Sequence, residues 1–371
     1  MATLNGIDNL DALQILRGKK LGLITNPTGV NAELHSTADL LKASFDLRAV
    51  YGPEHGIRGD QQAGTRVQQT EFDEELGVHA FSLYGTTRRP TPEMLEEIEM
   101  MVYDIQDVGA RFYTYIYTLA YAMEECAKAG IPMTILDRVN PLGGAVTEGI
   151  LLNPDLHSFV GEYPIPTRYG LTVGEFARYI NGTQHIGCEL QVVPCLGWER
   201  SMLYNETHLP WIMPSPNIPT LDSALVYIGT CIFEGTDLSE GRGTTHPFEL
   251  IGAPQLNASR LVRELETLQL PGLLWRPVHF IPTFSKHQGE LCHGVQLHIT
   301  NPYSIRPFEA GLALLEAIQR QYPEIKMNVA LDRLLGDTTY RTGEESLQQL
   351  RERARIQSAE YQATSQKYWL Y

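Results

Sequence analysis

The sequence predicts an α/β fold: a Rossmann-like domain with a mostly parallel sheet, followed by a second, smaller α+β domain. First, 371 residues are more than one hydrophobic core usually serves. Second, residues 20–193 alternate short apolar runs with longer amphipathic segments, the pattern of βαβ units. Third, this alternation stops near residue 255. We therefore predict a catalytic domain over residues 1–254 and an α+β domain over 255–371 that closes one side of a cleft.

The elements of the first domain follow from these runs. Apolar stretches at 21–25, 47–51, 79–83, 100–105, 133–136 and 190–193 are the predicted strands. The segment 111–129 is a predicted helix, with Gly130 where a helix-ending glycine belongs. A second helix begins at Thr172, since Thr172 and Glu175 have the spacing of a capping box.

The second domain has its own elements. Helices are predicted from Ser259, Pro307 and Glu344, and strands at 278–284 and 295–300.

Composition narrows the class of protein. Lys and Arg number 29 and Asp and Glu 44, so the net charge of 29 − 44 = −15 argues against nucleic acid or an anionic membrane as partner. Five cysteines form no Cys-x-x-Cys pair, which indicates reduced, buried thiols. The sequence as numbered shows no signal peptide and no apolar run of membrane-spanning length. We expect a cytoplasmic protein as numbered, or a secreted or periplasmic one if a leader was removed.

Polar residues follow five of the predicted strands at the point where each strand ends. They are Asn26, Glu54, Tyr84, Asp104 with Asp107, and Asp137 with Asn140. In open α/β sheets, ligands bind in the crevice outside the carboxyl ends of the strands, so one edge of the sheet would collect these groups. Helix caps and loops also enrich strand ends in polar residues, which is the alternative explanation.

Several motifs are missing. No Gly-x-Gly-x-x-Gly follows the first strand, and no P-loop, Gly-x-Ser-x-Gly or His-Glu-x-x-His sequence occurs. A dinucleotide cofactor, a P-loop nucleotide and the commonest serine and zinc hydrolase sites are therefore unsupported.

Carboxylates, tyrosines and arginines remain, a set suited to acid–base chemistry on a polyhydroxy substrate such as a glycoside. Glu54 is the candidate acid. Candidates for the second carboxylate are Glu234, Glu240, Asp104 and Asp107. Each of the four could equally cap a helix or pair with Arg111 or Arg242. Metal binding by Asp104, Asp107, His55 and His246 is a minor alternative, and neither a resident metal nor a cofactor is predicted.

An ordered set of motifs gives the chain a long family resemblance. The motifs are GLITNPTG (22–29), GPEHGIRG (52–59), YDIQDVGARFYTY (103–115), LDR (136–138), NPL (140–142), SPN (215–217), FEGT (233–236), SEGRGT (239–244) and KYWLY (367–371). In these segments the chain resembles the NamZ-type exo-β-N-acetylmuramidases, a bacterial family formerly described as a domain of unknown function.

The resemblance implies a Rossmann-like domain with a smaller C-terminal domain, and release of N-acetylmuramic acid from the non-reducing ends of peptidoglycan fragments. It makes Glu54 the leading catalytic residue, with Glu234 and Glu240 as further candidates. The lactyl carboxylate of muramic acid would give Arg111 or Arg242 a role in the pocket. The predicted substrate-binding residues are Asn26, His55, Arg58, Tyr84, Asp104, Asp107, Arg111, Tyr113, Asn217 and Arg242.

Two other functions are compatible with the same cleft. One is a catalytically inactive binder of cell-wall glycan, and the other is a metal-assisted hydrolase of ester or amide bonds. The sequence leaves open whether the mechanism retains or inverts the anomeric centre, and which oligomer forms.

Overall fold

A computed structural model of the chain describes residues 2–58 and 70–371. Gly59, which ends the GPEHGIRG motif, lies outside the described residues. Within the described residues the strands are β1 (Lys20–Thr25), β2 (Asp46–Gly52), β3 (Thr70–Asp73), β4 (Val78–Ser82), β5 (Met100–Asp104), β6 (Met133–Leu136), β7 (Leu190–Val193), β8 (Leu250–Ala253), β9 (Leu273–Phe280) and β10 (Cys292–Ile299).

The first seven strands form one sheet in the order β3-β4-β2-β1-β5-β6-β7. All neighbours are parallel except β3 and β4, which are antiparallel. Every residue of β5 is buried, as expected for a central strand covered on both faces. The chain runs outward from β1 to β2 and β4, then returns to the other side of β1 at β5. The crevice between β1 and β5 is therefore the switch point where ligands bind in such sheets.

The helices of the described residues are α1 (Thr37–Ser44), α2 (Pro92–Leu95), α3 (Tyr115–Ala129), α4 (Val173–Thr183), α5 (Leu221–Thr230), α6 (Ala258–Glu266), α7 (Pro307–Gln321), α8 (Val329–Leu335), α9 (Thr339–Thr342) and α10 (Leu347–Ser365). Helix α3 ends at Gly130, whose φ of 68° is the left-handed conformation expected of a C-terminal glycine. The capping box of Thr172 and Glu175 starts α4 as predicted. The predicted start of α3 at residue 111 is wrong by four residues, because the Arg111 amide bonds to the Thr167 carbonyl instead of a helical partner.

The smaller domain contains a three-stranded antiparallel sheet in the order β8-β10-β9. Helix α6 packs against β9 and β10 of this sheet and also against α7, and α5 crosses α7 where Gly229 meets Gly311. A methyl group on Gly229 would lie 1.8 Å from the Pro307 carbonyl oxygen, so only glycine fits at this crossing. The predicted fold class is confirmed. The domain boundary at residues 254 and 255 stays a prediction.

Residues 370 and 371 pack back against the first domain. The Tyr371 hydroxyl donates to Asp137 Oδ2 at 2.7 Å and accepts from the Cys195 amide at 2.7 Å. The Leu370 amide donates to Glu175 Oε1 at 2.7 Å. Burial raises the pKa of Asp137 to about 7, although Tyr371 and nearby donors oppose the shift.

No helix within residues 2–58 and 70–371 is long and apolar enough to cross a membrane.

Candidate active site

Glu54 lies just beyond the carboxyl end of β2, beside the switch point of the sheet. Gly52 ends the strand, and a tight turn follows in which the Gly56 amide donates to the Pro53 carbonyl at 2.9 Å. The Glu54 side chain is buried, and its Oε2 accepts a hydrogen bond of 2.7 Å from Thr114 Oγ1, at the start of α3. The end of β2 and the start of α3 thus hold one carboxylate in a defined place.

His55 and Gly56 both have the left-handed backbone conformation, with φ of 72° and 77°. For histidine this conformation is uncommon, and its cost must be offset by contacts elsewhere. The turn buries His55 beside Glu54, and both side chains line one pocket.

The pocket has a volume of about 130 Å³, and five Phe and Tyr rings form part of its wall. Tyr113 and Tyr115 meet edge to face with their ring centroids 4.9 Å apart, and Tyr227 meets Phe248 at 4.5 Å. Burial raises the pKa of Tyr115 and Tyr227 well above the ordinary value for tyrosine, so both hydroxyls remain neutral. Such rings offer apolar faces to the C–H surface of a sugar.

A charged network forms the far side of the pocket. Glu234, on the 3₁₀ turn after α5, accepts a hydrogen bond of 2.6 Å from Arg242 Nη2, and both residues line the pocket. Behind them, Glu240 Oε1 lies 3.4 Å from Arg242 Nε and Glu240 Oε2 lies 2.9 Å from Lys286 Nζ. Burial alone would lower the pKa of Arg242, but the two carboxylates raise it above the ordinary value. Arg242 therefore stays charged.

Six of the predicted site residues line this pocket together. They are Glu54, His55, Tyr113, Asn217, Glu234 and Arg242. Tyr84 adjoins them, because its hydroxyl interacts with the Glu54 carboxylate. Burial and then the charge of Glu54 raise the pKa of Tyr84 to about 12, so its hydroxyl stays protonated beside that carboxylate.

The other predicted site residues lie outside the pocket. Asp104 is buried against Arg138, whose Nη2 lies 2.9 Å from Asp104 Oδ2. Asp107 accepts hydrogen bonds from the Tyr169 hydroxyl and from the Gly109 amide, the latter at 2.6 Å.

Arg111, Arg58 and Asn26 were also predicted to bind substrate. They lie outside the pocket, and each contacts other groups of the protein. Arg111 is fully buried and donates to the carbonyls of Ile150 and Leu334, both at 2.7 Å. Burial lowers the pKa of Arg111 to about 10. Arg58 is exposed and pairs with Asp73 and Glu75 at 3.4 and 3.3 Å. Asn26 Oδ1 accepts a hydrogen bond of 3.0 Å from the amide of Thr28.

No group of three or more His, Cys, Asp or Glu side chains suited to holding a metal ion occurs in the described part of the chain.

Comparison with known proteins assigns the family. Residues 21–222 match the N-terminal family model of "Exo-beta-N-acetylmuramidase NamZ", and residues 225–371 match the C-terminal model. The chain belongs to this family. The predicted family and its enzyme class, the glycoside hydrolases, are confirmed.

Relatives support the same assignment. The peptidoglycan beta-N-acetylmuramidase NamZ of Bacillus subtilis (strain 168) is 49% identical over 344 residues, which cover 91% of this chain and 83% of that protein. Two crystal structures of DUF1343 family proteins from Bacteroides fragilis NCTC 9343 share the fold. One has a TM-score of 0.92 at 37% identity and the other 0.81 at 27%, each covering 100% of this chain and 99% of the other.

Several residues that line the pocket were not predicted from the sequence. Thr114 and Ser215 both lie within motifs that carry the family resemblance. Their place in those motifs was the sequence signal that could have identified them as pocket residues. Tyr227 lies in the apolar helix α5 and Phe248 in an apolar turn, where an aromatic residue resembles ordinary core. No local pattern distinguishes a pocket wall from a core contact at those two positions.

Proposed function

We propose that the pocket around Glu54 carries out the exo-β-N-acetylmuramidase reaction of this family, releasing N-acetylmuramic acid from the non-reducing ends of peptidoglycan fragments. The observation that carries the proposal is the placement of Glu54, buried at the end of β2 and held by Thr114 at 2.7 Å. The Bacillus subtilis relative, a peptidoglycan beta-N-acetylmuramidase, supports the same substrate.

Glu54 is proposed as the general acid. In glycoside hydrolysis, a protonated carboxyl group gives its proton to the leaving oxygen while the sugar develops oxocarbenium character. Once that proton has left, the Tyr84 and Thr114 hydroxyls donate to the resulting carboxylate and stabilise it.

Glu234 is proposed as the second carboxylate. It shares the pocket with Glu54, and Arg242 fixes its orientation through hydrogen bonds of 2.6 and 3.2 Å to one carboxylate oxygen. Glu240 is less suited to contact the sugar, because it is buried behind Arg242 and held by Lys286. We therefore propose that Glu240 positions Arg242.

The test is hydrolysis of aryl β-N-acetylmuramides beside the matching N-acetylglucosaminides. Loss of a general acid costs about 10²- to 10⁴-fold in rate. We expect Glu54→Gln to lose this much on a muramide with a poor leaving group, and Glu234→Gln to be similarly impaired. Glu352→Gln, an exposed pair partner on α10, is the control and should leave activity unchanged.

Varying the leaving group identifies the role of Glu54. A nitrophenolate needs little protonation, so the deficit of Glu54→Gln should shrink as the leaving phenol becomes more acidic. A deficit independent of the leaving group would assign proton donation to another residue. If neither sugar is cleaved by the unmodified protein, the proposed activity is wrong.

A further inference from the structure

A site selective for muramic acid over glucosamine needs a cation for the lactyl carboxylate, the group that separates the two sugars. This inference rests on the function proposed above. The arginines expected from the sequence already have protein partners: Arg111 donates to backbone carbonyls, and Arg242 is held by Glu234 and Glu240. A further cation near Glu54 is a better candidate.

Arg88 lies on the loop between β4 and α2, where its side chain is exposed. Its guanidinium carbon lies 4.0 Å from the ring centroid of Phe159 and 5.7 Å from that of Tyr84, and these two rings are 5.6 Å apart. Within residues 2–58 and 70–371, Arg88 makes no ion pair with a carboxylate. Stacking fixes the plane of the guanidinium, and its N–H edge stays available for bidentate bonds.

The position of Arg88 relative to Glu54 follows from the groups between them. Arg88 lies over the ring of Tyr84, and the Tyr84 hydroxyl is close enough to Glu54 for that carboxylate to raise the pKa of the phenol. Val160, next to the stacked Phe159, lines the same pocket as Glu54. Arg88 therefore lies beside the residues that line the pocket, with the Tyr84 ring between it and the proposed acid.

This arrangement matches the chemistry of the sugar. The bond to be cleaved is at C1, and the lactyl ether is at C3, two ring atoms away. A sugar bound with its C1 oxygen at Glu54 and its C3 side toward the loop between β4 and α2 brings the lactyl carboxylate to the Arg88 guanidinium. We propose that Arg88 binds the lactyl carboxylate of N-acetylmuramic acid and makes the site selective for muramic acid over N-acetylglucosamine.

The test compares an aryl β-N-acetylmuramide with its lactyl methyl ester, which keeps the shape and removes the charge. A hydrogen-bonded charge pair of this kind is worth about 10- to 100-fold. We expect Arg88→Gln to lower kcat/KM by that factor on the free acid and to change it little on the ester. Arg88→Lys should recover part of the loss, because it restores charge without the planar fork.

Arg89→Gln is the matched control. Arg89 is the next residue on the same loop, but it turns away to Glu124, Glu125 and the ring of Tyr121 on α3. It should leave the acid-to-ester ratio unchanged. An equal loss on both substrates in Arg88→Gln, or no loss on either, would overturn the assignment of Arg88 while the proposed activity stands.

Binding provides a readout that does not depend on turnover. Titration calorimetry with free N-acetylmuramic acid and N-acetylglucosamine should show tighter binding of the former, and Arg88→Gln should remove the difference. If the unmodified protein cleaves neither aryl sugar, the proposed activity is refuted. The calorimetric titration then tests by itself whether Arg88 binds the lactyl carboxylate. Equal affinity for the two sugars with Arg88 present would refute the inference.

Discussion

Replacing Asp104 with asparagine tests whether this residue serves stability or substrate. Asp104 and Arg138 are almost completely buried, and the carboxylate accepts from Arg138 and from the Thr37 hydroxyl. Asparagine keeps the volume but removes the charge, so Arg138 becomes a buried cation without its counter-ion. Breaking a buried ion pair in this way costs about 3–5 kcal/mol, a large share of the roughly 5–15 kcal/mol that holds a domain folded.

The assay is urea unfolding followed by fluorescence, with Asp46→Asn as control. Asp46 pairs with Arg48 at 2.6 Å on β2, but both side chains are 47% exposed. The midpoint should fall strongly for Asp104→Asn and hardly at all for Asp46→Asn, because water screens the exposed pair. At temperatures where Asp104→Asn is folded, its KM should equal that of the unmodified protein. Unchanged stability together with a raised KM would refute this reasoning and place Asp104 in substrate binding.

Three further changes are predicted. Gly229→Ala should lower the free energy of unfolding by about 1–2 kcal/mol, because the clash with the Pro307 carbonyl outweighs the gain in helix propensity; a higher melting temperature would contradict it. Burial raises the pKa of Asp107 from 3.8 to about 7, so the folded state keeps a proton that the unfolded state releases, and this group's contribution to stability falls as pH rises from about 4 to 7. In urea titrations, the stability of Asp107→Asn relative to the unmodified protein should therefore increase as the pH rises from about 4 to 7. A stability difference that does not change with pH would contradict this titration of Asp107. Lys286→Met should lower kcat/KM about tenfold by releasing Glu240, with partial recovery in Lys286→Arg; full activity in Lys286→Met would show that Glu240 needs no such support.

The central sheet was largely predictable because its buried parallel strands are continuous apolar runs. The strand β3 was missed because its sequence, Thr-Glu-Phe-Asp, has no such run. In the smaller domain the predicted strands at 278–284 and 295–300 were displaced, and the structure has Leu273–Phe280 and Cys292–Ile299 instead. Pro277 lies within that first strand, where a proline argues against a strand from sequence alone.

The sequence points to the candidate site where a polar residue follows a strand directly, as Glu54 follows β2. That rule could not separate Glu54 from Asp104, since both occupy strand ends and only the fold shows that Arg138 covers Asp104. Arg88 was missed for a different reason. Its position depends on stacking against Phe159, a residue 71 positions further along the chain.

The contact between Tyr371 and Asp137 has a consequence for how the protein is made. Residue 371 is translated long after residue 137, so the nascent first domain carries Asp137 without this hydroxyl partner until Tyr371 has been made. A gene fragment encoding only residues 1–254 would lack it permanently, as would any product terminated early. Folding of the larger domain is thus tied to synthesis of the later part of the chain: its full set of hydrogen bonds forms only after residues 370 and 371 have been translated.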